Sequence, residues 1–140
     1  MKELITAKNL LFSGSYTCVI VKGDYVFTST LRGVRPIVEW LDNNSERDDF
    51  RVADKVVGKA TAFLYAIMGA THLYAGVISR SALAVLTDRG VAVEYGTLVE
   101  NIINRSGDGI CPFEEAVLDC NDYSEAHKII KEKLRSMSVK

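Results

Sequence analysis

The stretch from Ala60 to Ser79 carries no Asp, Glu, Lys or Arg, and a run of about 20 such residues is long enough to cross a bilayer. Whatever this chain folds into must keep that segment away from water. Gly69, Ala70, Thr71 and His72 interrupt it, and the apolar spacing is helical before them and strand-like after them. The run therefore reads as a buried helix followed by a buried strand, not as a membrane span.

Each half extends outwards. Val56, Val57, Ala60, Phe63, Leu64, Ile67 and Met68 fall on one helical face, and Asp54 is placed to cap the first turn. After the strand, Leu73 to Ile78, a helix over Ser81 to Asp88 ends at Gly90, and Val91 to Tyr95 forms a second buried strand. This is a β-α-β unit, whose strands are expected to be parallel with a right-handed crossover.

Upstream, residues 2–12 form an amphipathic helix that stops at Ser13-Gly14-Ser15. Tyr16 to Val21 and Tyr25 to Thr30 are rich in β-branched and aromatic residues, and Lys22-Gly23-Asp24 between them supplies a hairpin turn. Val34, Ile37, Val38 and Leu41 repeat at helical spacing behind Pro36, Asn43-Asn44 closes that helix, and Ser45 to Phe50 reads as a surface loop. Downstream, Thr97 and Glu100 form a capping box ahead of Leu98, Val99, Ile102 and Ile103, which predicts another helix. Asn104 to Gly109 breaks it; Pro112 opens a helix over 112–119, and Asp122 with Glu125 starts a last one through Leu134.

The sum is an α/β fold in three layers: a mixed four-stranded sheet, made of an antiparallel hairpin plus a parallel β-α-β unit, with helices on both faces. At 140 residues and 48% hydrophobic composition, one domain over 1–140 is expected, large enough to bury a core without metal or disulfide staples. Lys plus Arg is 17 and Asp plus Glu 18, a net charge of -1, so no overall field holds a polyanion and no nucleic-acid partner is expected. Cys18, Cys111 and Cys120 are odd in number and lack C-x-x-C spacing, as in a reduced protein; Lys8 interrupts what would be the apolar part of a signal peptide, so a cytoplasmic location is expected.

Two segments carry a resemblance: Asp54-Lys55-Val56-Val57-Gly58-Lys59-Ala60, and Asn104-Arg105-Ser106-Gly107-Asp108-Gly109-Ile110-Cys111-Pro112-Phe113-Glu114. Together with the order of elements, the chain resembles a small prokaryotic family of cytidine deaminase-like domains of unknown function, from the hairpin to about residue 119. The resemblance implies a cytidine deaminase-like fold. Active deaminases of that fold carry H-A-E or C-A-E at the start of one helix and P-C-x-x-C at the start of the next, to hold zinc and move protons. Here those positions read Val57-Gly58-Lys59 and Arg80-Ser81-Ala82-Leu83, so no zinc ligand stands at either, and neither a metal, a cofactor nor zinc-dependent deamination is expected.

Lys55 and Lys59 would lie one turn apart near a helix N-terminus, where cations are disfavoured. Either a ligand phosphate or carboxylate is held there by free backbone N–H groups and the two amines, or the lysines pair with Asp54 or another acidic side chain or are fully solvated. Gly58 within that helix costs about 1 kcal/mol relative to Ala, so a side chain there would meet a neighbour, either ligand or packed chain. Cys111 before Pro112 is placed at a helix N-cap, which favours the thiolate; Glu114 either completes a capping pair or faces a ligand. Asn104 and Arg105 could grip an anion, or Arg105 could pair with Asp108 or Glu114. Ser79, Arg80 and Ser81 sit where open α/β sheets bind ligands, and Ser81 also suits helix capping.

The leading expectation is thus a domain without zinc that binds a small anionic, nucleotide-like metabolite through Asp54, Lys55, Gly58, Lys59, Ser79 and Arg80, with Asn104, Arg105, Cys111 and Glu114 beside them. Two other readings stand: an enzyme using Cys111 as nucleophile or Lys59 as base or Schiff-base amine, and a module that self-associates into a homo-oligomer.

Overall fold

The computed structural model describes residues 2–31, 33–45, 48–103, 107 and 109–138. Its first helix, α1 (Lys2–Ser13), leads into the hairpin of β1 (Cys18–Lys22) and β2 (Tyr25–Ser29). The turn places Gly23 at a φ of 57°, where a side chain would be strained. Next comes α2 (Arg35–Asn43), with Pro36 in its first turn.

The sheet then departs from expectation. Residues Phe50–Val57 form a strand, β3, where a loop and the first turn of a helix were predicted, so the sheet has five strands and not four. Phe50, Val52, Ala53 and Val57 are buried, and β3 is flanked on both sides, antiparallel to β1 and parallel to the following strand. A central position explains the error. Arg51, Asp54 and Lys55 break the apolar run that marks a buried strand, while Asp54 ahead of Val56 and Val57 imitates a helix cap.

The uncharged stretch folds as its period indicates: α3 (Lys59–Met68), then β4 (Ala70–Ser79), joined at Gly69, which ends the helix at a φ of 91°. After α4 (Arg80–Asp88) comes β5 (Ala92–Val99), parallel to β4. The helix expected from Thr97 to Ile103 does not form. Thr97 pairs with Val77 in the sheet, and Glu100 binds Arg80 instead of capping a helix. Two helices close the described chain: α5 (Pro112–Ala116), shorter than expected, and α6 (Tyr123–Ser138).

Strand order is β2-β1-β3-β4-β5. Side chains alternate across it. Cys18, Ile20 and Val52 join the main core with α2, α3, α4 and α6, whereas Val19, Val21 and Ala53 meet Ala7 and Leu11 of α1 in a smaller core. Helices therefore cover both faces, giving the expected three layers. Helix α3 is apolar almost all round because it contacts the sheet on one side and α2, α4, α5 and α6 on others. Among the described residues no helix is long and apolar enough to cross a membrane.

Candidate functional site

β3 and β4 run in the same direction, so the helices that follow them, α3 and α4, start at the same end of the sheet. A helix start presents N–H groups with no partner in the helix. Both starts converge on one side chain, Glu114 of α5. Its Oε2 accepts from the Lys59 backbone N–H, and its Oε1 accepts from the Ser79 hydroxyl at 2.9 Å. Ser79 is the N-cap of α4, also accepting from the Ala82 N–H at 3.3 Å. The carboxylate is buried and delivered from the far end of the chain. It lies where the sequence placed an external anion.

This carboxylate accounts for Gly58, which is not inside the helix but at the N-cap of α3, in extended conformation. A Cβ there would sit 2.7 Å from Glu114 Oε2, 3.0 Å from its Cδ and 3.1 Å from Ile102 Cγ1. The neighbour predicted for that glycine is thus the chain's own acid. Lys59, the first residue of α3, turns its amine away: Nζ donates to the Leu118 carbonyl at 2.7 Å and lies 5.8 Å from the centroid of the Phe63 ring. Glu114 and Lys59 together fasten the α5 segment over the two helix starts.

Beside this contact lies a cavity of about 70 Å³, walled by Val56, Gly58, Thr61, Cys111, Phe113 and Glu114, with Gly33, Val34, Ala60 and Ile102 completing it. Cys111 is half-buried at the N-cap of α5, as expected, but its side chain makes no capping bond. Its N–H donates to the Ile102 carbonyl at 2.9 Å, which closes that wall.

Asp54 is not a helix cap. It is buried in the middle of β3, opposite Cys18 of β1. Tyr65 donates to Asp54 Oδ2 at 2.6 Å, the Val56 N–H donates to Oδ1 at 3.2 Å, and Cys18 Sγ lies 3.1 Å from the Tyr65 hydroxyl. Burial pushes the Asp54 carboxyl up to about 7, against the hydrogen bonds from Tyr65 and the Val56 and Lys55 amides, which pull it down. Burial likewise raises the Cys18 thiol and the Tyr65 hydroxyl, with the Asp54 charge adding to both. Strand alternation puts Asp54 on the same face as Val56, and Tyr65 follows Thr61 by one helical turn. Asp54 and Tyr65 are therefore the next residues, on the same faces of their elements, to Val56 and Thr61, which line the cavity.

The structure separates the other predicted contacts. Lys55 is exposed on β3, not one helical turn from Lys59, because the helix begins only at Lys59. Arg80 pairs with Glu100 at 2.6 Å on the surface, both side chains being mostly exposed. Helix α4 is capped by Ser79, two residues before the predicted Ser81. Asn104 and Arg105 lie outside the described residues. Tyr65 and Thr61 were not singled out by sequence, and Cys18 was noted only in the cysteine count; an acid inside the run of 50–57 is the signal that points to a buried polar partner. Among the described residues no three His, Cys, Asp or Glu side chains gather as a metal site.

Fold and site define a mixed α/β domain in which one internal carboxylate ties together two neighbouring helix starts. The family model TM1506, a domain of unknown function (DUF1893), matches residues 6–134. The chain belongs to the DUF1893 family. It is similar to the crystal structure of a DUF1893 family protein (TM1506) from Thermotoga maritima at 2.70 Å resolution, with 29% sequence identity and a TM-score of 0.87, over 94% of this chain and 90% of that one. No curated protein matches.

Proposed function

We propose that this domain binds a small neutral or cationic group in the cavity beside Glu114. The observation that carries this reading is the cavity wall itself: Glu114, buried, and Cys111 both line one space of about 70 Å³ among mostly apolar residues. That volume holds roughly five water-sized atoms. It is well below the roughly 300–1,000 Å³ of sites that enclose a drug-sized ligand. An anionic, nucleotide-like ligand is the poorer fit. Its two expected amines are apart, one exposed and one bound to Leu118, and the helix start it would use already holds Glu114.

The strand order and the adjoining starts of α3 and α4 support a cytidine deaminase-like fold as part of this reading. The zinc of such enzymes does not fit here. Gly58, Lys59, Ser79 and Arg80 offer no zinc-type donor set, and the Glu114 carboxylate is engaged by the Lys59 amide and the Ser79 hydroxyl. A catalytic role has one observation in its favour, that Cys111 shares the cavity with Glu114.

The test is protection of Cys111 from iodoacetamide, read by peptide mass spectrometry. Methylguanidine, methylammonium and acetamide are compared with inorganic phosphate and AMP. Methylguanidine or acetamide should slow alkylation of Cys111 and leave the half-buried Cys120 unchanged, with phosphate and AMP inert. Protection by phosphate or AMP alone, or by none of the five, overturns the reading.

A further inference from the structure

We propose that Asp54, Tyr65 and Cys18 form a proton-operated switch behind the cavity, in which uptake of one proton reverses the direction of a buried hydrogen-bond chain and changes how the cavity wall at Val56 is held. This rests on the cavity being the functional site, although the switch itself is measurable without any ligand.

The argument starts from the donors. A tyrosine hydroxyl has one hydrogen to give. With Asp54 ionised, that hydrogen goes to Oδ2 at 2.6 Å, and the Cys18 thiol can donate only towards the Tyr65 oxygen. With Asp54 protonated, Oδ1 still accepts from the Val56 N–H, so the new proton belongs on Oδ2. It then points at the Tyr65 oxygen, and the Tyr65 hydrogen must turn to Cys18 Sγ. In both directions the Tyr65 oxygen and the Asp54 carboxyl keep their partners, the Cys18 sulfur changing from donor to acceptor, and one proton separates the two. No bond other than hydrogen bonds is made or broken.

Among the described residues the surroundings leave this to the three groups alone. From β1 the facing titratable group is Cys18, and from α3 it is Tyr65. In the register of the sheet β4 sets the uncharged Ala75 opposite Asp54. On α2 the buried residues are Pro36, Ile37, Val38, Trp40 and Leu41, while Arg35, Glu39 and Asp42 are exposed. Lys55 is exposed, and the buried Lys59 and Glu114 bind elsewhere. Among the described residues no cation touches the Asp54 carboxyl, so the proton is the charge-neutralising partner available to it there. The readout follows from geometry as well. The Val56 N–H bond to Oδ1 is stronger to a carboxylate than to a carboxylic acid, and Val56 walls the cavity. The raised Asp54 carboxyl, described above, places the change within the physiological range.

The experiment is an NMR titration of the free protein from pH 4 to 9, following the Asp54 carboxyl carbon and the Val56 amide. Both should move with a single midpoint near neutrality. In Asp54→Asn the Val56 shift over that range should vanish. In Tyr65→Phe, which removes the donor to the carboxylate, the Asp54 midpoint should rise. An Asp54 midpoint below 5, a Val56 amide that titrates equally in Asp54→Asn, or a midpoint unmoved or lowered in Tyr65→Phe would each overturn the switch. These readings need no ligand, so they fail or hold independently of the Cys111 protection assay.

Discussion

Two carboxyl groups of this domain are taken out of water, Asp54 at 6% exposure and Glu114 at 2%, and they are held in opposite ways. Glu114 meets the first N–H of α3 and the N-cap hydroxyl of α4, at the positive ends of two helix dipoles. Asp54 sits in mid-strand and depends on one phenol, one thiol behind it and the backbone N–H groups of Val56 and Lys55 on its own strand. Burial raises its carboxyl to about 7. Depth is nearly equal in the two cases; what differs is the source of donors. Two helix starts hold Glu114 and make it part of the architecture, whereas Asp54, without a helix start, is left able to exchange a proton with a rotatable phenol as its nearest donor.

The sharpest way to break this contrast is to remove each acid in turn. Glu114→Ala takes the carboxylate acceptor from the Lys59 N–H and the Ser79 hydroxyl and loosens α5 from both helix starts. Hydrogen bonds to a charged group contribute about 1.5–3 kcal/mol each, so urea denaturation at pH 7 should show a loss of about 3 kcal/mol or more. Asp54→Asn should cost clearly less at the same pH. If Asp54→Asn proved the more damaging, the architectural and proton-exchanging roles would have to be exchanged.

Gly58→Ala sharpens the same side of the comparison. The new methyl would press on Glu114 Oε2 at 2.7 Å, and overpacking of this kind typically costs about 1–3 kcal/mol. The strain has a named partner. In a Glu114→Ala background most of that cost should disappear, giving a coupling energy above about 0.5 kcal/mol in a double-mutant cycle. Equal cost in both backgrounds would assign the glycine to Ile102 or to backbone needs instead.

How much of this was visible in the sequence depends on the range of the interaction. The hairpin turn at Gly23, the helix-to-strand change at Gly69, α4 and the N-cap position of Cys111 follow from neighbours in the chain, and each stands where its local pattern put it. β3 was lost because Arg51, Asp54 and Lys55 interrupt its apolar run, and their roles are set by β1, α1 and α3: Arg51 meets Glu3, and Asp54 meets Tyr65. The capping box at Thr97 and Glu100 was a local signal overruled by the sheet. At the site, Gly58 and Glu114 were both recognised, yet their pairing spans 55 residues. Local periodicity carries no information about it, so the charge predicted near the α3 start was assigned to an outside ligand.

The smallest expected effect concerns Asp54 and the pH dependence of folding. Its carboxyl titrates at about 7 in the folded chain and at about 3.9 when unfolded. The folded state therefore holds the proton more tightly, and the stability this contributes is complete below the unfolded value and disappears as pH rises through the folded one. Between pH 6 and 8 the loss amounts to roughly 1 kcal/mol by linkage. Urea denaturation at pH 6, 7 and 8 should show wild type losing that much relative to Asp54→Asn, in which no proton is available at this position; comparing the two curves cancels the histidines and surface groups. Wild type and variant curves that run parallel would mean that Asp54 stays ionised throughout, and the contrast between the two buried acids would reduce to one of position alone.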